Sequence, residues 1–158
     1  MSTAPAATFT TDDLADGDWV TSITAGTSFR TEVAVRTHRV IADEPAGTGD
    51  GGDEGPTPYD YLLAAIGACT AMTMRMYAAR KGWPLERAVV RFRTARSHVA
   101  DCADCVDRSA TLGPLRLQRH IELFGALDDE QRARLLTIAD RCPVKQALSR
   151  GIEVEAVG

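Results

Sequence analysis

The sequence predicts an α+β fold: antiparallel strands arranged around one long apolar helix. Two short runs near the N-terminus alternate apolar and polar residues with period two and are separated by a small-residue turn, which marks adjacent antiparallel strands. A well-capped apolar stretch then runs from Thr57 to Lys81 without a breaker, too long for a strand. Beyond it, a second pair of strand-like runs is followed by amphipathic helical segments. A chain of 158 residues with 44% apolar content suits one domain with a substantial core. We therefore expect a loose leader over residues 1–16 and a single domain over 17–158.

In chain order, Trp19 to Thr24 (WVTSIT) and Phe29 to Val35 (FRTEVAV) flank the turn Ala25-Gly26-Thr27, and His38 to Ala42 (HRVIA) adds a third run, giving a β-meander. From Asp43 to Gly55 the chain reads DEPAGTGDGGDEG, a composition expected of a flexible surface loop. Thr57 is a good N-cap, Pro58 fits the first helical position, and Asp60 occupies the capping-box place, so a helix starts there and runs to about Lys81, where Gly82 and Pro84 stop it. Tyr61 or Leu62, Ala65, Cys69, Met72 and Met76 fall on one stripe, which puts Cys69 toward the core or a cleft in it. Leu85 to His98 and Leu115 to Phe124 read as a long hairpin. Asp128 to Ala139 and Pro143 to Ser149 read as helices, and Ile152 to Val157 as a final strand.

The net charge of -4 and pI near 5.3 provide no basic field for nucleic acid or an anionic membrane, and the arginines between Arg87 and Arg96 read as a solvated strand face. The nearly apolar run from Tyr61 to Met74 is too short to span a bilayer, and the small, acidic N-terminus lacks the pattern of an export signal. The expected location is the cytoplasm. In a reducing compartment, four cysteines point to thiol chemistry or metal binding rather than to structural bridges.

A thiol becomes nucleophilic where its anion is stabilised by a helix N-terminus, a guanidinium or a hydrogen-bond donor. Cys142 directly precedes Pro143 and so stands at a helix start, with Arg141 beside it. Cys69, in mid-helix, needs a partner brought in by the fold. A lone cysteine on an apolar stripe is also a common packing residue.

The segment GPTPYDYLLAAIGACTAMT (Gly55 to Thr73), together with RCPV (Arg141 to Val144), resembles the OsmC/Ohr family of thiol-dependent peroxidases, and ADEP before the loop and KGWPLE after the helix look closest to its OsmC-like branch. The resemblance implies an OsmC-like fold, an intertwined homodimer, and reduction of an organic hydroperoxide to an alcohol. It also implies that Cys69 attacks the peroxide and becomes a sulfenic acid, that Cys142 closes a disulfide with it, and that a dithiol such as a lipoylated protein or a thioredoxin-like donor restores the pair. Leu62, Ile66, Met72 and Met76 would line the substrate site. An arginine and a glutamate hold the attacking cysteine elsewhere in the family; here the arginine is Arg30, with Arg36 and Arg39 as alternatives. The position after Pro58 is Tyr59, so the nearest carboxylate is that of Asp60. No cofactor is required by this chemistry.

A second cysteine pair lies in HVADCADC, where His98, Asp101, Cys102 and Cys105 combine a Cys-x-x-Cys step with an upstream histidine. Such a step could supply half of a zinc site, with His120 as a candidate fourth ligand, or an auxiliary disulfide pair, while the reading as simple loop thiols outweighs each of these. The departure at Tyr59 and this segment motivate the alternative of a stress-related small-molecule or metal-binding protein without significant peroxidase activity.

Overall fold

The computed structural model describes residues 19–95 and 115–156. The leader expected over residues 1–16 and the segment carrying His98, Asp101, Cys102 and Cys105 lie outside them. The chain divides into two compact units, Met1–Tyr61 and Leu62–Gly158.

In the first unit, β1 (Val20–Thr24), β2 (Thr31–Val35) and β3 (His38–Ala42) form an antiparallel sheet in sequence order. Thr24 pairs with Thr31 and Val35 with His38, so the expected meander is present. Two residues link β2 to β3, and Arg36 takes a φ of 51° there, a left-handed conformation that few non-glycine residues adopt. β2 begins at Thr31 rather than Phe29, which leaves Arg30 outside the ladder, at the mouth of the loop that follows β3.

That glycine-rich loop is more organised than its composition suggests. Asp43 is 1% exposed, and its carboxylate accepts backbone N–H bonds from Glu44 (2.8 Å), Gly52 (3.0 Å) and Glu54 (3.1 Å). These donors hold its pKa below the usual carboxylate range, the Glu54 amide most strongly, against the opposing effect of burial. The expectation of a flexible loop is thus corrected: one buried aspartate ties both ends of the turn together. The folding is tight enough that a Cβ on Gly51 would sit 2.6 Å from the Glu44 carbonyl oxygen.

Helix α1 (Pro58–Lys81) starts as its sequence predicts. The Asp60 N–H donates to Thr57 Oγ1 (3.2 Å), while Asp60 Oδ2 accepts from the Thr57 N–H (3.0 Å) and hydroxyl (2.8 Å), completing a capping box. At the other end Gly82, with φ 65°, donates to Ala79, and Trp83 donates to Ala78, a Schellman stop.

In the second unit, β4 (Arg87–Thr94) and β5 (Leu117–Phe124) form an antiparallel pair in which Arg87 faces Phe124 and Thr94 faces Leu117. Helices α2 (Asp129–Ala139) and α3 (Pro143–Arg150) follow. Met74, Ala78, Leu85, Leu127, Leu135 and Ala139 make the buried core, flanked by Val90, Ile121 and Leu123 of the sheet. The arginine-rich strand face is paired across the ladder: Arg87 lies over the Phe124 ring, Arg91 meets Glu122, and Arg93 bonds Gln118.

Three further expectations are corrected. The buried stripe of α1 is Ile66, Thr70, Met74 and Ala78, whereas Met72 and Met76 are each 63% exposed and Ala65 is also exposed. The helix is apolar on every side, so periodicity could not select a face. No strand forms over residues 151–156, where Ile152 and Val154 are exposed; an alternating pattern becomes a strand only where an edge accepts it. Finally, the apolar run from Tyr61 to Met74 is too short to span a bilayer, but the whole of α1, which ends at Lys81 as expected, is by length and composition alone sufficient to cross one, although one face packs into the core of the second unit.

Candidate active site

Cys142 owes its position to a sharp bend. Helix α2 ends at Ala139, and the Arg141 and Cys142 amides donate to Ile138 (2.9 Å) and Ala139 (3.4 Å) before Pro143 opens α3. The bend is braced by Asp140, whose Oδ1 accepts from Lys145 Nζ of α3 (2.7 Å) and from Arg119 of β5 (3.2 Å). The Lys145 bond is the main reason the Asp140 carboxyl is held below its usual range. Proline supplies the helical φ, and Cys142 becomes the N-cap: its Sγ accepts the Lys145 N–H at 3.5 Å. The side chain is fully buried and its thiol donates to the Ile66 carbonyl of α1 at 3.9 Å, whereas the side chain of Arg141 turns outward.

Cys69 lies half-buried on α1, one residue before the buried Thr70, and its thiol is within hydrogen-bond contact of Cys142. Both thiols are free. The amide of Val144 reaches both sulfurs, and the Thr70 hydroxyl also lies beside Cys142. The two residues nominated from sequence as a redox pair are therefore neighbours at the start of α3.

Their environments differ. Burial is the largest influence on Cys69 and pushes its pKa up; the hydrogen bond to Cys142 adds to this, and the Val144 N–H and Thr73 hydroxyl only partly offset it. Burial also opposes ionisation of Cys142 most strongly, but the Cys69 thiol, the Lys145 N–H, the Thr70 hydroxyl and the Val144 N–H together bring its pKa below the ordinary thiol value.

A cavity of about 790 Å³ shares Ile66 and Lys145 with the surroundings of Cys142, although neither cysteine lines it; Leu62, Phe92, Leu117 and Leu148 form its apolar wall and Arg119, Asp140 and Lys145 its polar side. Leu62 and Ile66 are thus on the lining proposed from sequence, but the exposed Met72 and Met76 are not.

The remaining nominated residues belong to the first unit. Arg30 donates from Nε to Glu54 (3.0 Å) and from Nη1 to Glu32 (2.7 Å), the second bond being the stronger support of its charge. Asp60 closes the α1 capping box. Glu54, the carboxylate that meets Arg30, was not singled out from sequence: as one acid in an acidic, glycine-rich loop it carries no spacing signal. Arg36 occupies the β2–β3 turn, and Arg39 lies on β3. His120 lies on β5 with Nδ1 3.7 Å from Glu122, and no cluster of metal-ligating side chains occurs among the described residues.

The strand and helix order with two neighbouring thiols defines an α+β domain built around a cysteine pair, and known proteins of this kind identify the class. The family model of OsmC-like proteins matches residues 49–157. The chain belongs to the OsmC/Ohr family. An OsmC-like protein from Mycoplasma pneumoniae superposes with a TM-score of 0.64 at 18% identity, covering 82% of this chain and 85% of that one. An organic hydroperoxide resistance protein from Elizabethkingia anophelis gives 0.60 at 16% identity, with coverages of 84% and 89%. The organic hydroperoxide resistance protein OsmC from Legionella pneumophila, described as a predicted redox protein, gives 0.57 at 19% identity, with coverages of 81% and 88%. Comparison with curated proteins gives no match. At these identities the likeness is one of fold.

Proposed function

We propose that the protein is a thiol-dependent peroxidase that reduces organic hydroperoxides to alcohols through a Cys69 sulfenic acid and a Cys69–Cys142 disulfide. The observation that carries this reading is that the two free thiols are neighbours at the start of α3, where Ile66 and Lys145 also line an apolar cavity. A sulfenic acid formed on Cys69 meets its resolving thiol without a large rearrangement. Leu62, Phe92, Leu117 and Leu148 would receive the alkyl part of the peroxide. Arg30, held by Glu54 and Glu32, is the proposed cation of the reaction, and a lipoylated or thioredoxin-like dithiol in the cytoplasm the proposed reductant. A homodimer belongs to the same reading: Met72 and Met76 expose an apolar face of α1 that a second copy would cover.

Cumene hydroperoxide consumption with a dithiol reductant tests the proposal. The Cys69→Ser variant is expected to lose turnover completely, and turnover equal to wild type would refute the assignment. Light scattering tests the dimer.

A further inference from the structure

Thr70 is fully buried in the middle of α1, where its hydroxyl has to find a protein partner. Oγ1 donates to the Ile66 carbonyl one turn earlier, at 2.8 Å. Such a bond is common for threonine in a helix, and Thr73 makes the same one to the Cys69 carbonyl at 2.7 Å. What sets Thr70 apart is that a second side chain uses its acceptor: the fully buried Cys142 thiol donates to the Ile66 oxygen at 3.9 Å. Two donors that converge on one oxygen bring the Thr70 hydroxyl beside the Cys142 sulfur. That sulfur also accepts the Lys145 N–H at 3.5 Å, a donor fixed by the backbone of α3. The hydroxyl is not fixed in this way, because its hydrogen turns about the Cβ–Oγ1 bond without any heavy atom moving.

We propose that Thr70 serves the resolving step as a switchable donor: its hydroxyl bonds the Ile66 carbonyl while Cys142 is a thiol, and turns to the Cys142 sulfur as that thiol gives up its proton. The inference rests on the peroxidase reading above and adds a residue that the reading does not use. In the reduced chain Cys142 keeps its proton, which points at the Ile66 oxygen. Once Cys69 is a sulfenic acid, the Cys142 sulfur attacks the Cys69 sulfur. The S–S bond forms, the S–O bond breaks, and the departing hydroxide takes the Cys142 proton and leaves as water. The two-electron oxidation already on Cys69 is then shared between the two sulfurs, and no further oxidant enters. During the attack the Cys142 sulfur carries excess electron density and faces the lone pairs of the Ile66 oxygen across the gap its proton had bridged. A turning hydroxyl replaces that repulsion with a donor, while the Ile66 oxygen keeps the helical N–H of Thr70. Both side chains are closed to solvent, so water does not supply this donor.

The test uses the full chain carrying Cys102→Ser and Cys105→Ser, so that only the pair reports. After one equivalent of cumene hydroperoxide, samples quenched with a 1,3-diketone and read by mass spectrometry give two rates: appearance of the Cys69 sulfenic acid, and its conversion to the Cys69–Cys142 disulfide. Thr70→Val removes the hydroxyl at nearly constant volume. It should leave the first rate unchanged and slow the second on the order of tenfold, the scale of one hydrogen bond to a developing charge. Thr70→Ser keeps the hydroxyl and should restore the second rate. Disulfide formation at the wild-type rate in Thr70→Val overturns the proposal. So does a Thr70→Ser chain as slow as Thr70→Val, which would assign the effect to packing of the methyl group. Slowing of both steps by the same factor overturns it as well, because a general loss of structure acts on both. Should Thr70→Val fail to fold, Thr70→Ala carries the same expectations. A wild-type chain that consumes no peroxide would instead refute the function above. Diamide then takes the place of the peroxide: it modifies the more accessible Cys69, Cys142 displaces it, and the same Thr70 variants report on that displacement.

Discussion

The two units hold their chemical groups in opposite ways. In the second unit the thiols are fixed mainly by regular structure: Cys69 by the packing of α1, and Cys142 by a helix start whose preceding bend is braced by Asp140 with Lys145 and Arg119. In the first unit Arg30 is fixed by carboxylates, and the loop that supplies Glu54 is itself tied by the buried Asp43. Packing positions the sulfurs and polar bonds position the guanidinium. The thiol pair should therefore respond to core mutations, whereas the arginine clamp should respond to acid and to loop substitutions.

The largest expected effect breaks the packed side of this comparison. Leu135 is fully buried in the core of the second unit, and Leu135→Ala should cost about 2–5 kcal/mol in denaturant unfolding, with the lost transfer energy and the residual cavity both contributing. If the pair is scaffolded by this core, disulfide formation between Cys69 and Cys142 after stoichiometric peroxide, read by mass spectrometry, should also slow. An undiminished rate would mean that the α3 start alone positions Cys142.

On the clamp side, Arg30→Ala should reduce kcat/KM for the hydroperoxide on the order of a hundredfold, the scale for removing a charge stabiliser from a reaction centre. The Cys69–Cys142 disulfide should still form under prolonged oxidation. Equal kcat/KM in wild type and variant would remove Arg30 from the mechanism.

A loop substitution comes next. Gly51→Ala places a methyl group against the Glu44 and Pro45 carbonyl oxygens and should lower stability by about 1–3 kcal/mol, measured by thermal unfolding. Protection of the Gly52 and Glu54 amides should fall with it, and unchanged protection would show that the turn yields elsewhere.

The smallest effect is confined to acid. The Asp43 carboxyl is depressed in the folded chain, so its stabilisation is complete above the unfolded carboxylate pKa and is lost as pH falls through the lower folded value. Hydrogen exchange at Gly52 and Glu54 should accelerate in that window, and Asp43→Asn should abolish the pH dependence.

The features legible in the sequence were those written in local chemistry. The capping box of Thr57 and Asp60, the Gly82 stop and the period-two strands near the N-terminus all use residues close together in the chain, and each stands where expected. Cys142 before Pro143 announced a helix start for the same reason. The buried face of α1 was not legible, since Ala and Met occur around its whole circumference and only packing against Leu85, Leu127 and Leu135 selects Met74 over Met72. Nor was Glu54, whose meeting with Arg30 depends on how Asp43 gathers a long loop.

The sequence by itself determined the α+β class, the order of the elements from β1 through α3 and the two thiols, because propensity, capping and the segments around Cys69 and Cys142 are carried by neighbouring residues. Only the tertiary structure decided that the thiols are neighbours, that burial raises the Cys69 pKa while hydrogen bonds at the start of α3 lower that of Cys142, and which face of α1 is buried. Hydrogen bonds and desolvation between residues distant in the chain exist only once the chain has folded.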